Sequence, residues 1–538
     1  IAGNFQALVT SLNKAQVEFD LGSETIIRNL GKVRDGKFIV GRRAYTTVII
    51  PEMCETLFAS TAELLKKFVA EGGHLVALSS PTAVDGTEDS AMSEIFAGES
   101  VQTTLDIASL NNGKILFEDV AGGDLQHHRR EFKDGTLLFL ANSSLSENAC
   151  GVVTVEGAGF KYLDTFTGKI CREPAAVAQG GKVSLRYDLP PAGHLLLFAP
   201  LSSDDSDRLQ DKETVAVSEL TEVPPMSDLS VRRIGDNYLS MEFCDLIVDG
   251  SESCDIFVGE ACQKLFAHFG MQNPWERRVQ FKDNIISADT LGTGDITVRY
   301  RFNVDGQFDY SDMKFVCERP SLWEVRINGE TVSPIEGEHP LDARTGSYAI
   351  GEYVHEGENI VTLHRTPMSI YAEVSFAFIT GDFAVVPDKV GWKISSPQEL
   401  ALGSWKDQGL PFFSWDVGYA RQYDLSAGAK TFLCLEDWYG TVAQVWVNGS
   451  KAGILFSKPY ELDITDHVIN GVNEIEVRCT GSLYNLYGPH FYHKRGKVGP
   501  NYWYSNAVPS HADDYSLLDY GLMSPFDVKV VGPNLHLK

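Results

Sequence analysis

The sequence predicts a multidomain, mostly β chain that opens on a small α/β unit. Three observations carry that reading. Residues 1–112 alternate strand-like and helix-like segments, the order that builds a parallel sheet. From about residue 115, short apolar runs separated by Gly, Asn, Asp and Pro turns take over. An Asn-Gly hairpin signal then occurs twice, with Asn328 and Asn448 set 120 residues apart and Asn359 and Asn473 set 114 apart. Repetition at a near-constant spacing marks a duplicated module.

Phe5, Leu8, Val9 and Leu12 fall at helical spacing, so residues 1–15 are expected to form a helix. Val17–Leu21 reads as a strand, and Lys37–Val40 as a short strand after the Asp35-Gly36 turn. Thr47-Val48-Ile49-Ile50 is a continuous apolar run, typical of a strand covered on both faces. Glu55 to Glu71 follows as an amphipathic helix with Leu57, Leu64, Leu65, Phe68 and Val69 on one stripe. Gly72-Gly73 ends that helix before a strand over His74–Leu78. The alternation implies a doubly wound, flavodoxin-like unit over 1–112. It starts on a helix where such a fold opens on a strand, so it is expected to be cut short at its N-terminus.

Residues 137–142, 151–155, 162–164, 183–187 and 194–198 predict a small β-sandwich over 113–200. The polar stretch 201–226, ending in Val223-Pro224-Pro225, reads as a linker. Two copies of an all-β module then span 227–385 and 386–538. In the second copy, Val445 and Val447 precede Asn448-Gly449, and Ala452 and Ile454 follow it. Asn-Gly is the pair best able to supply the two positive φ values of a type I′ hairpin.

The 538 residues carry 73 acidic against 46 basic side chains, a net charge of −27. That balance argues against nucleic acid and anionic membrane as partners, since both need a basic footprint. Nothing approaches eighteen consecutive apolar residues, so no membrane span is expected. The first residues show neither a basic nor an apolar leader region, so no signal peptide is read there and the chain is expected to continue upstream. Nine cysteines without a CxxC pair point to packed thiols rather than a zinc site.

No phosphate-binding loop, dinucleotide fingerprint, HExxH or nucleophile elbow is present in the required setting. The basic run His127-His128-Arg129-Arg130 is placed just before a strand, as a solvated or interdomain contact. The aromatic segment from Tyr484 is the strongest candidate for binding: Tyr484, Tyr487, His490, Tyr492, His493, Trp503 and Tyr504 crowd one loop after the last repeat strand. Aromatic faces beside polar groups suit sugar rings, whose C–H faces are apolar and whose hydroxyls need partners. Packing against a neighbouring domain is the alternative, and Trp405, Trp415, Trp438 and Tyr439 share that ambiguity.

Several of these stretches resemble known proteins. Lys37–Pro51 with Glu71-Gly72-Gly73 resembles the domain that follows the catalytic barrel in large bacterial glycoside hydrolases, including the α-L-rhamnosidases of glycoside hydrolase family 106. His128-Arg129-Arg130 with Leu138–Asn142, and the Asp164–Lys169 turn, are similar to further stretches of those enzymes. Gln444–Gly449, Lys458-Pro459-Tyr460 and Asn473-Glu474-Ile475 resemble the galactose-binding-like jelly rolls of that group and of family 2 hydrolases. The resemblance implies two galactose-binding-like jelly-roll sandwiches in the non-catalytic C-terminal region of a saccharide-cleaving enzyme. It implies carbohydrate and an upstream catalytic domain of the same polypeptide as partners, in a bacterial cytoplasm, periplasm or secreted setting. The family's catalytic carboxylates sit on a barrel this sequence lacks, so no catalytic residue is carried over. A structural Ca²⁺ is a feature of some such sandwiches, and no ligand set for one is legible. The alternatives are a stand-alone carbohydrate-binding protein and purely structural or oligomerising modules.

Overall fold

A computed structural model describes residues 2–96, 101–110, 113–202, 209–212, 220–275, 282–287, 294–491 and 508–531. The chain divides into two compact units, Ile1–Thr214 with Ser457–Pro459, and Val215–Phe456 with Tyr460–Lys538. Among the described residues no helix is long and apolar enough to cross a membrane.

The first unit begins with the helix Ala2–Lys14. Three short parallel strands, Thr47–Ile50, His74–Ala77 and Val101–Gln102, form its α/β core in that order. The helix Ala59–Ala70 packs Leu65 and Phe68 into the cluster that also buries Leu75. A three-strand antiparallel sheet, Gly31–Arg34, Lys37–Val40 and Arg43–Tyr45, lies alongside in sequence and turns at Asp35-Gly36 with φ of 54° and 66°. The parallel sheet is thus small, three strands wide among the described residues.

Two expectations in this unit are corrected. Residues 17–20 form no strand. The helix closes with Val17 N–H donating to the Leu12 carbonyl, and the next side chains reach outward: Gln16 donates to the Leu125 carbonyl at 2.8 Å, and Glu18 receives Arg129. Side-chain pairing replaces a backbone ladder there. The basic run 127–130 does not precede a strand but lies within one, Leu125–Glu131, pairing antiparallel with Gly135–Asn142.

Residues 115–200 form two facing sheets. One orders Ile115–Ala121, Ala149–Glu156, Lys182–Leu189 and Val177–Gln179; the other orders Leu125–Glu131, Gly135–Asn142, His194–Pro200, Lys161–Leu163 and Ile170–Arg172. Alternate residues such as Leu138, Leu140, Val153, Val183 and Leu197 point inward and are fully buried, as the period-2 pattern demands. Asp164 ties the Thr165–Lys169 turn by accepting from the Phe166 and Thr167 amides.

In the second unit the duplication is visible strand by strand. The first copy has a sheet ordered Asn237–Met241, Ala377–Gly381, Lys314–Glu318, Thr345–Ala349. Facing it is a sheet ordered Phe243–Val248, Ile296–Asp305, Gly357–Arg365, Glu324–Ile327, Glu330–Val332, extended at its outer edge by Ser251–Phe257. The second copy repeats both orders with Leu220–Val223, Asp527–Val531, Thr431–Cys434, Glu461–Asp463, and with Ser230–Ile234, Asp416–Leu425, Gly471–Thr480, Val442–Val447, Ser450–Leu455.

This assignment cuts across the boundaries read from the sequence. Leu220–Val223, inside the expected linker, pairs with Asp527–Val531 of the last module. Ser230–Ile234, placed in the first module, pairs with Asp416–Leu425 of the second. Trp392–Ser395, placed in the second, runs parallel to Ile296–Asp305 of the first. The first sandwich is therefore continuous over 237–395, and the second takes two edge strands from the residues before it. Tyr238 of one stacks on Trp415 beside the other, centroids 4.6 Å apart and planes 13° from parallel. Trp405, the largest fully buried side chain among the described residues, donates its indole N–H to the Tyr419 hydroxyl at 2.8 Å inside the second core.

Candidate functional site

The segment singled out in the sequence begins with a single helical turn, Tyr484–Tyr487. Asn485, 1% exposed, clamps it: its amide donates to the Leu518 carbonyl and its oxygen accepts the Leu518 N–H, both at 2.9 Å. Leu486 enters the first core. Tyr484 places its hydroxyl 3.4 Å from Ser516 Oγ. Tyr487 packs edge-on against Phe378, and burial, then Asp342 and Glu318, push its phenol up to about 12.

His490 goes inward. It is 1% exposed, its Nε2 faces the Asn485 carbonyl at 2.7 Å, and its Nδ1 pairs with Glu242. Both ring nitrogens thus face acceptor oxygens. Its place is behind Glu242, not on the surface. Tyr492, His493, Trp503 and Tyr504 lie outside the described residues.

What Tyr487 faces was not legible in the sequence. Glu318 ends the strand Lys314–Glu318, and Glu373 sits in the loop before Ala377–Gly381. Burial, followed by the charge of Glu318, pushes the Glu373 carboxyl up to about 7, against the opposing pull of Arg319, Lys282 and Arg344. Burial, then Asp342, raises Glu318 as well. Glu318 thus disfavours the ionisation of Glu373, whose carboxyl keeps its proton to near neutral pH. No spacing rule announces them, since they lie 55 residues apart on separate elements.

Arg319 stands over this pair. Its guanidinium stacks 4.4 Å from the Trp275 ring and 5.1 Å from the Tyr371 ring, and it donates to the Tyr371 carbonyl at 3.3 Å. Lys282 lies 4.1 Å from the Trp275 ring. The indole N–H of Trp275 donates to the Ile370 carbonyl at 2.8 Å, which fixes the ring beside Tyr371, 44% exposed. Arg319 adopts φ 49°, ψ 62°, a left-handed conformation rare for a residue with a long side chain. That backbone costs about 1–3 kcal/mol and is held by Arg319 N–H donating to the Arg344 carbonyl at 2.7 Å. The result is a loop end carrying aromatic rings, three cations and, in Glu373, a carboxyl that gains or loses its proton near pH 7.

Among the described residues, acidic, histidine and cysteine side chains gather at metal-binding separation in one place. The one group at metal-binding separation is Asp245, Glu252 and Cys254. Both Asp245 oxygens are already used, by the Asp255 N–H at 3.1 Å and by Arg301, and Glu252 faces Arg299 at 3.3 Å. A thiolate is also a soft ligand where Ca²⁺ takes oxygen.

No family model matches the chain. A putative β-glucuronidase of Formosa agariphila is 30% identical over 105 residues, 16% of this chain and 9% of that protein. Among solved structures, a rhamnosidase from Novosphingobium sp. PP1Y aligns with 94% of this chain and 35% of its own at 14% identity, with a TM-score of 0.44. An α-L-rhamnosidase of Streptomyces avermitilis, solved with L-rhamnose, aligns with 69% of this chain and 38% of its own at 11% identity, with a TM-score of 0.18. The chain spans about a third of the solved proteins' length and under a tenth of the curated one's. What it is similar to are glycoside hydrolases.

Proposed function

We propose that this chain is an accessory part of a bacterial glycoside hydrolase, its sandwiches bracing a catalytic domain on the same polypeptide. The loop end around Glu318, Glu373, Tyr371 and Tyr487 contacts the glycan, and Tyr492, His493, Trp503 and Tyr504 are kept as further candidates for that contact. The observation that carries it is the Glu373 carboxyl, raised to about 7 by burial and Glu318, close in the chain to the exposed Tyr371 and acted on by the cations Arg319, Lys282 and Arg344. Such a set offers a ring face for sugar C–H groups and both donors and acceptors for hydroxyls. The likeness to a putative β-glucuronidase supports carbohydrate as the ligand class.

Calorimetric titration of the chain with oligosaccharides tests the reading. Tyr371→Ala and Glu373→Gln are expected to weaken binding about tenfold, some 1.4 kcal/mol. Unchanged affinity in both variants removes the site from contention. A second reading rests on Glu373 itself. A carboxyl that keeps its proton to about pH 7 beside an ionisable partner has the properties of a general acid. Hydrolysis of aryl glycosides by the chain alone, lost in Glu373→Gln, would replace the accessory role with a catalytic one.

A further inference from the structure

A second site lies in the same unit, on the other side of the His490 pairing. Ser240 to Asp245, Val390-Gly391-Trp392, and Pro509, Ser510 and Tyr515 line a cleft of about 190 Å³, with Asp255, Arg299 and Arg301 also in its wall. Three polar atoms buried in its walls have no hydrogen-bond partner among the described residues, Ser240 Oγ, Trp392 Nε1 and Ser510 Oγ, and Glu242, held by His490 and Tyr515, turns its carboxylate to the same cleft. Ser240 is 8% and Glu242 3% exposed. An unsatisfied buried donor or acceptor is destabilising, so three around one cavity are a standing cost that a polar occupant removes.

The chemistry of the walls selects the occupant. Glu242 Oε2 accepts, Trp392 Nε1 donates, and the two serine hydroxyls do either. A molecule with several hydroxyls matches that set, since each hydroxyl both donates and accepts. The charges near the cleft are largely spent on one another: Arg301 on Asp245, Arg299 on Glu252, and His490 on Glu242. A charged ligand would meet no free counter-ion deep in the site, which favours a neutral one. The volume is below the ~300–1,000 Å³ of pockets for drug-sized molecules, which limits the occupant to one ring. Tyr515 closes the wall beside Glu242, and burial with that neighbouring carboxylate holds its phenol protonated, well above its ordinary value.

We propose that the cleft between Ser240, Glu242, Trp392 and Ser510 binds a single neutral sugar residue or comparable small polyol. It is separate from the Glu318–Glu373 loop end and does not depend on it. Saturation-transfer NMR on the full chain tests it with a panel of methyl hexosides and methyl 6-deoxyhexosides, glucuronate serving as the charged comparator. The expected result is transfer to one or more neutral members and weaker transfer to glucuronate. Trp392→Phe, which keeps a ring and loses the N–H, and Ser240→Ala should each weaken binding about tenfold. Thermal melts confirm that both variants fold, and Tyr371→Ala should leave this binding intact. Absence of binding to every neutral member at millimolar concentration overturns the proposal. So does binding that Tyr371→Ala abolishes and Trp392→Phe leaves unchanged, which would assign the sugar to the loop end instead.

Discussion

Asn448 donates its side-chain amide to Asn473 Oδ1 at 2.9 Å, and in the first copy Asn328 donates to Asn359 Oδ1 at 2.8 Å. The rest of the network repeats as well. Asn473 donates to the Ile469 and Gly471 carbonyls and accepts the Ile469 N–H; Asn359 does the same with His355 and Gly357. Each hairpin asparagine also accepts the N–H of the residue after its partner, Glu474 or Ile360. Asn359 and Asn473 are both fully buried, so these bonds are made away from water. The Asn-Gly motif therefore fixes both a turn and the entry of the strand beside it. Replacing Asn473 or Asn359 by Ala strands an N–H and two carbonyls, and each variant should lose about 3 kcal/mol. Urea denaturation followed by tryptophan fluorescence measures this, and an unshifted midpoint in both variants would refute the shared scaffold role.

Glu373 gives a pH-dependent prediction whose sign follows from its surroundings. Its carboxyl titrates near 7 in the folded chain and near 4.3 when unfolded, so the folded state binds the proton more tightly. Stability carried by that proton is complete below about pH 4.3 and is lost as pH rises through 7, a change on the order of 3 kcal/mol. Glu373→Gln cannot ionise. Its melting temperature should match that of the native chain near pH 4.5 and exceed it at pH 8. Parallel melting curves for the two proteins across that range would disprove the assignment.

The repeat was legible because it is written in local chemistry. Asn-Gly at 328–329 and 448–449 takes positive φ at both residues of each pair, as the dipeptide demands. Short apolar runs between Gly, Asn, Asp and Pro turns likewise placed the strands around Leu138, Val153 and Leu197, whose side chains are buried. Strand partners were not legible. Leu220–Val223 and Ser230–Ile234 read no differently whether they join the first or the second sandwich, since alternation reports a face and not a neighbour. The Glu318–Glu373 pair was hidden for the same reason: nothing local to either glutamate records the other. Tyr487 and His490 were found by composition, but their roles depend on Glu318 and Glu242, which only the fold supplies.

Arg129 shows how a basic run can be structural. Its side chain is 9% exposed, with Nε and Nη2 donating to the two Glu18 oxygens at 2.8 and 2.6 Å and Nη1 to Glu131 at 2.7 Å. His127 adds a bond to Gln16 at 2.8 Å. Together they hold the strandless stretch after the first helix against the strand Leu125–Glu131. Arg129→Ala leaves Glu18 without its paired cation and should cost about 3 kcal/mol. Arg129→Lys should recover little, because one ammonium cannot bridge both glutamates in fork geometry. Hydrogen exchange of the amides in Ala2–Lys14 should accelerate in both variants, and unchanged protection would show that the helix is anchored elsewhere.

Arg319 ties backbone strain to the titration of the loop end. Its left-handed backbone would relax in Arg319→Gly, a gain of about 1 kcal/mol, while the loss of stacking on Trp275 and Tyr371 takes away about as much. Stability alone should therefore move little. The informative quantity is the proton on Glu373, which the Arg319 charge pulls down against burial and Glu318. Without the guanidinium, the anionic form of Glu373 loses a stabilising neighbour, so its titration must move further above 7. Carboxyl-carbon NMR of Glu373 against pH reads this directly. An upward move in Arg319→Gly with a near-native melting temperature identifies Arg319 as the residue that sets the protonation of the pair, whereas an unmoved titration leaves Lys282 and Arg344 as the controlling cations.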